Sequence, residues 1–149
     1  MGQLTIEGVM LTPLKIFESD KGNVMHCIKN SSPGFRDFGE AYISIVNHDI
    51  TKGWKKHTKM TLNLTVVSGK VKFYLFDDRI DVASFGSFNY LELGRSNYQR
   101  LTIPPGIFVA FKGLEETENM LINVADITHD PDEAVNKPLD DQLFSKVVW

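Results

Sequence analysis

The sequence predicts an all-β fold, either a sandwich or a barrel, because apolar residues recur with a period of two in short segments separated by turn residues. Apolar and polar side chains alternate over residues 60–66, which is typical of a strand with one buried face. The pair Ser68-Gly69 ends this alternation, and residues 71–76 resume it as the returning strand of a hairpin. Many short strands with little helical period favour a sandwich or barrel over a mixed fold.

The remaining elements follow from the same alternation and from the glycines and prolines between the segments. The predicted strands cover residues 9–17, 24–28, 42–46, 60–66, 71–76, 88–93, 99–103, 107–112 and 120–124. Residues 130–138 are polar and are predicted to connect the last strand to the tail. Residues 139–146 are predicted to form a short C-terminal helix of about two turns, because Asp140 and Asp141 lie where carboxylates suit the helix dipole.

The composition is that of a globular protein, with 42% hydrophobic and 23% charged residues among 149. This length favours a single domain over residues 1–149. The lone cysteine, Cys27, excludes an internal disulfide and favours a reducing, cytoplasmic location. A net charge of −3 gives no indication of nucleic-acid binding. No apolar run approaches the roughly 20 residues of a membrane span, so neither nucleic acid nor membrane is an expected partner.

A cluster of basic residues precedes the strongest strand. Residues 52–59 contain four lysines and one histidine in a chain that is acidic overall. In an extended conformation, Lys55, His57 and Lys59 lie on one face and Trp54 lies on the other. If that face lined a barrel, it would suit an anionic ligand such as a phosphate. A solvated charged rim beside a buried tryptophan explains the same residues and is the commoner arrangement.

Five segments occur in an order and spacing that point to one superfamily: Gly8-Val9, Asp20-Lys21-Gly22, Lys52-Gly53-Trp54-Lys55 followed by His57, residues 66–79, and Leu101-Thr102-Ile103-Pro104-Pro105-Gly106. Over residues 6–131 the chain resembles the cupin superfamily. It is most similar to the dTDP-4-dehydrorhamnose 3,5-epimerases and the related nucleotide-sugar 3,4-ketoisomerases. The resemblance implies a cupin jelly roll, a β-sandwich barrel, with the short C-terminal helix following it.

The chain departs from the family pattern at three positions. Lys55 stands where the epimerases have their histidine base, Val109 stands where relatives often have a histidine, and no tyrosine occurs at residues 127–128, near which the family acid falls. The metal positions of metal-binding cupins correspond here to Lys55, His57, Leu62 and Val109. A single ligand out of four does not hold a transition metal, so we expect neither a metal nor any other cofactor.

The resemblance implies a metal-free epimerase or isomerase that acts on a nucleotide-linked 4-keto-6-deoxy sugar in surface-polysaccharide biosynthesis. Such an enzyme removes a proton next to the ketone and returns it elsewhere, which requires a base and a group that stabilises the enolate. We expect His57 to be the base, Lys55 to be the enolate-stabilising cation or the base itself, and Tyr42 to donate the proton. The expected substrate-binding residues are Lys52 and Lys59 for the diphosphate, with Asn63, Lys112 and Asn123 as further polar contacts.

Two other functions are compatible with the same residues. The first is a 3,4-ketoisomerase in place of an epimerase. The second is a cupin that binds a nucleotide-sugar without turnover, since several family residues are replaced. Side chains of Lys55 and His57 that share one cavity would favour an enzyme. Outward-facing side chains, or a cavity filled by Phe73, Phe108 and Phe111, would favour binding without turnover. The resemblance also implies a homodimer, with N-terminal strands from residues 4–17 exchanged between subunits.

Overall fold

The computed structural model describes residues 4–149, and nearly all of its regular structure is β-strand. Its twelve strands are β1 (Met10–Pro13), β2 (Ile16–Phe17), β3 (Val24–Met25), β4 (Glu40–Val46), β5 (Thr51–His57), β6 (Leu62–Ser68), β7 (Lys70–Asp77), β8 (Phe88–Gly94), β9 (Gln99–Ile103), β10 (Ile107–Gly113), β11 (Asn119–Ala125) and β12 (Ala134–Asn136). The all-β prediction is confirmed.

Two five-stranded antiparallel sheets pack face to face. The first has the strand order β1-β9-β6-β11-β4, and the second has the order β12-β5-β10-β7-β8. Strands β2 and β3 form a separate small hairpin. Within residues 4–149, each large sheet ends in two edge strands, so of the two expected architectures the chain forms the sandwich, and the sheets do not close into a barrel.

The core lies between the two sheets and is built by the alternation seen in the sequence. Leu64 and Val66 of β6 point inward from the first sheet, and Val71, Phe73 and Leu75 of β7 meet them from the second. Burial of these side chains contributes about 1.5–3 kcal/mol each. The opposite face of the second sheet is also covered, because Trp54, Tyr74 and Phe108 form an aromatic cluster there.

The predicted C-terminal helix over residues 139–146 is wrong. The segment contains only one 3-10 turn, Gln142–Phe144. Its one buried side chain, Phe144, stacks on Trp54 with ring centroids 4.1 Å apart. The tail lies across the aromatic face of the second sheet, where Trp149 also packs against Trp54 and Tyr74 with ring centroids 5.6 and 4.9 Å apart. A helix held by packing needs an apolar stripe repeated over several turns, which this short segment does not supply.

Strand boundaries differ from the predictions in three places. The segment predicted as one strand over residues 9–17 is divided into β1 and β2. The basic cluster forms strand β5, which pairs with β10 and β12. The polar connection over residues 130–138 contains a 3-10 turn, Pro131–Glu133, and the short edge strand β12. None of the helices in residues 4–149 is both long and apolar enough to cross a membrane.

Candidate active site

A cavity of about 330 Å³ opens between the two sheets. Its volume lies within the range of small-molecule sites. The floor is apolar and comes from both sheets, with contributions from Leu64, Val109 and Leu121. The polar lining side chains are Tyr42, Ser44, Lys52, Lys55, His57, Asn123 and Asn136. The sandwich therefore places polar groups from β4 and β11 opposite polar groups from β5 and β12.

His57 is fixed in the wall of the cavity by a buried carboxylate. It ends strand β5, and its Nδ1 forms a short hydrogen bond with Oε1 of Glu133. The backbone N–H of Gly106, in the Pro-Pro-Gly turn, donates to the carbonyl of His57 at 2.8 Å. The turn after β9 and the carboxylate thus hold the backbone and the ring of the same residue.

Glu133 is itself held by the backbone. Its Oε2 accepts hydrogen bonds from the N–H groups of Thr58, Lys59 and Met60 at 3.1, 2.9 and 3.2 Å. Burial opposes ionisation of this carboxyl, but the hydrogen bonds from His57 and from the backbone outweigh it, and the pKa of Glu133 lies below its ordinary value. Glu133 is therefore ionised and accepts the Nδ1 proton of His57, so the Nε2 lone pair of that ring is the basic one.

Tyr42 faces the cavity from the opposite sheet. Its hydroxyl oxygen accepts a hydrogen bond from Nδ2 of Asn123 at 3.0 Å, while Oδ1 of Asn123 accepts the N–H of Asn63 at 3.0 Å. The backbone of β6 thus fixes the orientation of the amide, which in turn occupies a lone pair of the tyrosine. The O–H proton of Tyr42 is left to be donated to a ligand.

A bulge allows two lysines of β5 to face the same cavity. Val109 pairs with Lys55 but Phe111 pairs with Lys52, so one extra residue lies on the β5 side. Strict alternation would place these two lysines on opposite faces. Gly53 makes the bulge possible: its φ is +141°, and a Cβ there would lie 2.6 Å from Cβ of Ala110. Nζ of Lys52 also donates to the carbonyl of Ile45 at 2.6 Å and so bridges the two sheets.

Three of the candidate residues lie elsewhere. Lys59 is exposed beyond the end of β5, and its backbone supports Glu133. The side chain of Asn63 points away from the cavity and accepts from the Thr102 hydroxyl at 2.6 Å. Lys112 forms an ion pair with Asp49 at 2.8 Å. The structure brings together Lys52, Lys55, His57, Tyr42 and Asn123.

Sequence reasoning missed three polar residues of this site. Ser44 and Asn136 line the cavity, and Glu133 holds the histidine. Glu133 belongs to an Asp-Pro-Asp-Glu segment in which Asp130 caps the 3-10 turn and accepts from the N–H of Asp132 at 2.9 Å. The capping aspartate followed by proline is a signal for a short helical turn. It does not indicate where the turn lies in space.

The donor set at the metal position of metal-binding cupins does not fit a metal ion. His57 is engaged by Glu133, and the side chains of Lys55, Leu62 and Val109 offer an ammonium and two hydrocarbons. Across residues 4–149, no group of three or more His, Cys, Asp or Glu side chains is arranged to hold a metal.

Comparison with known proteins identifies the family of the chain. The family model described as dTDP-4-dehydrorhamnose 3,5-epimerase matches residues 3–147. The chain belongs to this family. A crystal structure of a dTDP sugar isomerase from Desulfovibrio desulfuricans superposes with a TM-score of 0.91 and 33% identity, and the match covers 94% of this chain and 90% of that one.

Two curated relatives match at lower identity. A spore coat polysaccharide biosynthesis protein of Bacillus subtilis (strain 168) is 25% identical over 141 residues, covering 93% of both chains. A probable low-salt glycan biosynthesis epimerase of Haloferax volcanii is 23% identical over 133 residues, covering 86% of this chain and 85% of the relative. One relative is thus named for polysaccharide biosynthesis and the other for glycan biosynthesis.

Proposed function

We propose that this protein is an epimerase of nucleotide-linked 4-keto-6-deoxy sugars that works without a metal ion. The observation that carries the proposal is the His57–Glu133 pair in the wall of a cavity whose opposite wall presents Tyr42. Inversion of a carbon requires a proton to leave from one side and return from the other. A base on the second sheet and a proton donor on the first meet that requirement.

The reaction begins when the C–H bond next to the ketone breaks. Nε2 of His57 takes the proton, and Glu133 stabilises the imidazolium that forms. The electron pair moves onto the ketone oxygen as an enolate, whose charge the ammonium of Lys55 balances. Tyr42 then delivers its O–H proton to the opposite face of the carbon, and solvent reprotonates the tyrosine. His57 and Tyr42 are both back in their starting protonation states once the imidazolium has lost its proton.

The diphosphate of the nucleotide is assigned to Lys52. Its ammonium lies at the β4–β5 side of the cavity, where it already contacts the carbonyl of Ile45. A lysine serves a phosphate as a point charge with rotatable donors. Asn123 and Asn136 supply neutral polar contacts to the sugar. Lys59, Asn63 and Lys112 are not needed for this assignment, because each is engaged or exposed elsewhere.

Turnover is favoured over binding alone by the state of the cavity. Lys55 and His57 both line it, and so does Phe111, but a volume of about 330 Å³ stays open. Phe73 packs in the core between the sheets, and Phe108 packs in the aromatic cluster on the other face of β10. An ionised carboxylate hydrogen-bonded to Nδ1 of a histidine is the arrangement that proton removal by Nε2 of that ring requires. The 3,4-ketoisomerase alternative uses the same enolate and differs in the carbon that receives the proton.

Proton exchange tests the proposal directly. The protein is incubated in deuterium oxide with a panel of nucleotide-linked 4-keto-6-deoxy sugars, and the sugar is followed by NMR. We expect deuterium at the carbon next to the ketone with inverted configuration, and no exchange with His57→Asn. Deuterium at C4 with the ketone moved to C3 identifies a ketoisomerase. Binding of every sugar without exchange in the wild-type protein contradicts the enzyme assignment.

We further propose that the protein is a cytoplasmic homodimer. The outer face of the first sheet is apolar at its free edge, where Ile43 and Ile45 of β4 are 57% and 44% exposed, and Ile122 of β11 lies beside them. An unpaired edge strand with an apolar face favours association. Within this chain β1 pairs with β9, so exchange of N-terminal strands would replace that pairing. Light scattering should give a dimer for the wild type and a monomer for Ile43→Lys with Ile45→Lys.

A further inference from the structure

A second cavity, of about 510 Å³, lies on the outer face of the first sheet, beneath the segment that follows β3. Its lining contains Lys15, Lys29, His26 and Arg100, and among the described residues it includes no carboxylate. Leu14, Phe17 and Ile28 form its apolar side. This cavity is distinct from the candidate active site, since the two share no lining residue.

Arg100 is the unusual member of this group. Only 1% of the residue is exposed, yet its guanidinium donates to neutral oxygens alone: the carbonyls of Cys27 at 2.8 Å and Pro33 at 2.6 Å, and Oδ1 of Asn63 at 3.3 Å. No ion pair of Arg100 with a carboxylate occurs within residues 4–149. Burial lowers the pKa of Arg100, as expected for a guanidinium whose charge lacks a counter-ion.

The bonding pattern leaves donors free for a ligand. A guanidinium carries five N–H groups, of which the three bonds above use one on each nitrogen. One N–H on Nη1 and one on Nη2 remain. A buried arginine is normally paired, because an uncompensated charge is costly to desolvate. An anion in the adjoining cavity would supply the missing partner.

The walls of the cavity are held in place independently of any ligand. The N–H of His26 donates to the carbonyl of Lys15 at 2.9 Å, and the hydroxyl of Tyr98 donates to the carbonyl of His26 at 2.8 Å. The N–H of Lys29 donates to the hydroxyl of Ser32 at 2.8 Å. The basic residues are therefore carried on a preformed scaffold, which lowers the ordering cost of binding.

We propose that this cavity binds a phosphate monoester of a small organic molecule. Two lysines and the buried guanidinium supply three positive charges, which match a phosphate dianion better than a single carboxylate. The volume exceeds that of a phosphate group, and the rings of Phe17 and His26, 5.0 Å apart, offer a surface for an organic body. The site is separate from the proposed catalytic function and stands or falls independently of it.

Phenyl phosphate is the probe that tests this proposal, with benzoate and orthophosphate as comparisons at constant ionic strength. The full-length ¹⁵N-labelled protein is titrated with each and followed by ¹H–¹⁵N spectra. We expect saturable shifts at the amides of Cys27, Ile28, Lys29 and Ser32, with phenyl phosphate bound about tenfold more tightly than benzoate. Equal affinity for benzoate, or shifts confined to Lys55 and His57, would overturn the proposal.

Charge-matched variants separate a site from general attraction to a basic surface. Lys15→Ala with Lys29→Ala should weaken phenyl phosphate about tenfold, whereas Lys21→Ala with Lys146→Ala, which removes the same charge from exposed positions, should not. Arg100→Lys keeps the charge but removes the fork of donors and should weaken binding further. If Arg100→Lys fails to fold, the comparison between the two double lysine variants tests the proposal on its own. Equal weakening by both lysine pairs contradicts a built site.

Discussion

Nδ1 of His57 donates a hydrogen bond to Oε1 of Glu133, which lies 76 positions further along the chain. The bond joins the end of β5 to the 3-10 turn before β12, and three backbone N–H groups hold the other carboxylate oxygen. It fixes the ring, selects its tautomer and leaves Nε2 as the basic nitrogen.

Glu133→Gln should nearly abolish turnover while leaving the fold intact. Glutamine keeps an oxygen for the backbone N–H groups but presents an NH₂ to Nδ1 of His57, so the ring takes the opposite tautomer and Nε2 is no longer basic. We expect kcat to fall about 10³–10⁴-fold, as when a triad aspartate becomes an amide. Glu116→Gln, at an exposed position, is the matched control. A kcat within threefold of wild type would show that the pair is structural.

Tyr42→Phe should separate proton removal from proton return. The variant lacks the O–H that faces the cavity but keeps the ring in the same strand. His57 still removes the proton, so exchange with deuterium oxide continues, while inversion slows about 10²–10³-fold. NMR of the product measures both at once. Loss of exchange and inversion to the same extent would show that Tyr42 does not act as the donor in the second half of the reaction.

Lys55→Ala should lower kcat more than it raises KM. Its ammonium is assigned to the charge that develops on the ketone oxygen, which is larger in the transition state than in the bound substrate. Loss of one such group costs about 10²–10³-fold in kcat. Lys146→Ala, which removes an exposed charge in the tail, controls for net charge. A change confined to KM would place Lys55 with the diphosphate instead.

The sequence predicted most strands because their apolar residues alternate, and the alternating apolar residues of β6 and β7 do form the core between the sheets. The expectation that β6 has one buried face is wrong, because Asn63 and Thr65 on its polar face are 2% and 0% exposed. Strand β5 was obscured because its period is broken by the bulge at Gly53, a feature set by its pairing with β10. The C-terminal segment was assigned to a helix from its acidic start alone. Its path instead follows the aromatic contacts that Phe144 and Trp149 make with the second sheet, and local propensity does not contain these contacts.

Part of the candidate site could also be predicted from the sequence. Lys52, Lys55 and His57 are neighbours on one strand, so a single motif identified them together. Tyr42 and Asn123 came from chemistry and resemblance, and the register of β4 with β11 places them side by side. Glu133 was missed because a carboxylate that completes a histidine pair is defined by distance in space. Its local sequence indicates only a capped turn.

Gly53→Ala should destabilise the fold and distort the site together. The residue has a φ of +141°, and a methyl group would lie 2.6 Å from Cβ and 2.8 Å from Cα of Ala110. Gly22→Ala is the matched control, since Gly22 has a φ of +122° with no atom within 4 Å of an added Cβ. The difference between the two variants isolates the steric contact. We expect Gly53→Ala to unfold about 2 kcal/mol more easily in urea than Gly22→Ala. Equal unfolding free energies for the two variants would show that β5 accommodates the added methyl group without loss of stability.

Acid should weaken the wild-type protein through Glu133. Because the pKa of this carboxyl is lower in the folded state than its ordinary value of 4.5, the unfolded chain binds the proton more readily. The resulting stability is fully present above that ordinary value and is lost as the pH falls through the lowered pKa of the folded state. Glu133→Gln has no such group, so the difference in unfolding free energy between the two proteins should shrink between pH 7 and pH 3. Urea unfolding at several pH values measures it. A difference that stayed constant, or grew in acid, would contradict the ionised, hydrogen-bonded carboxylate on which the histidine pair depends.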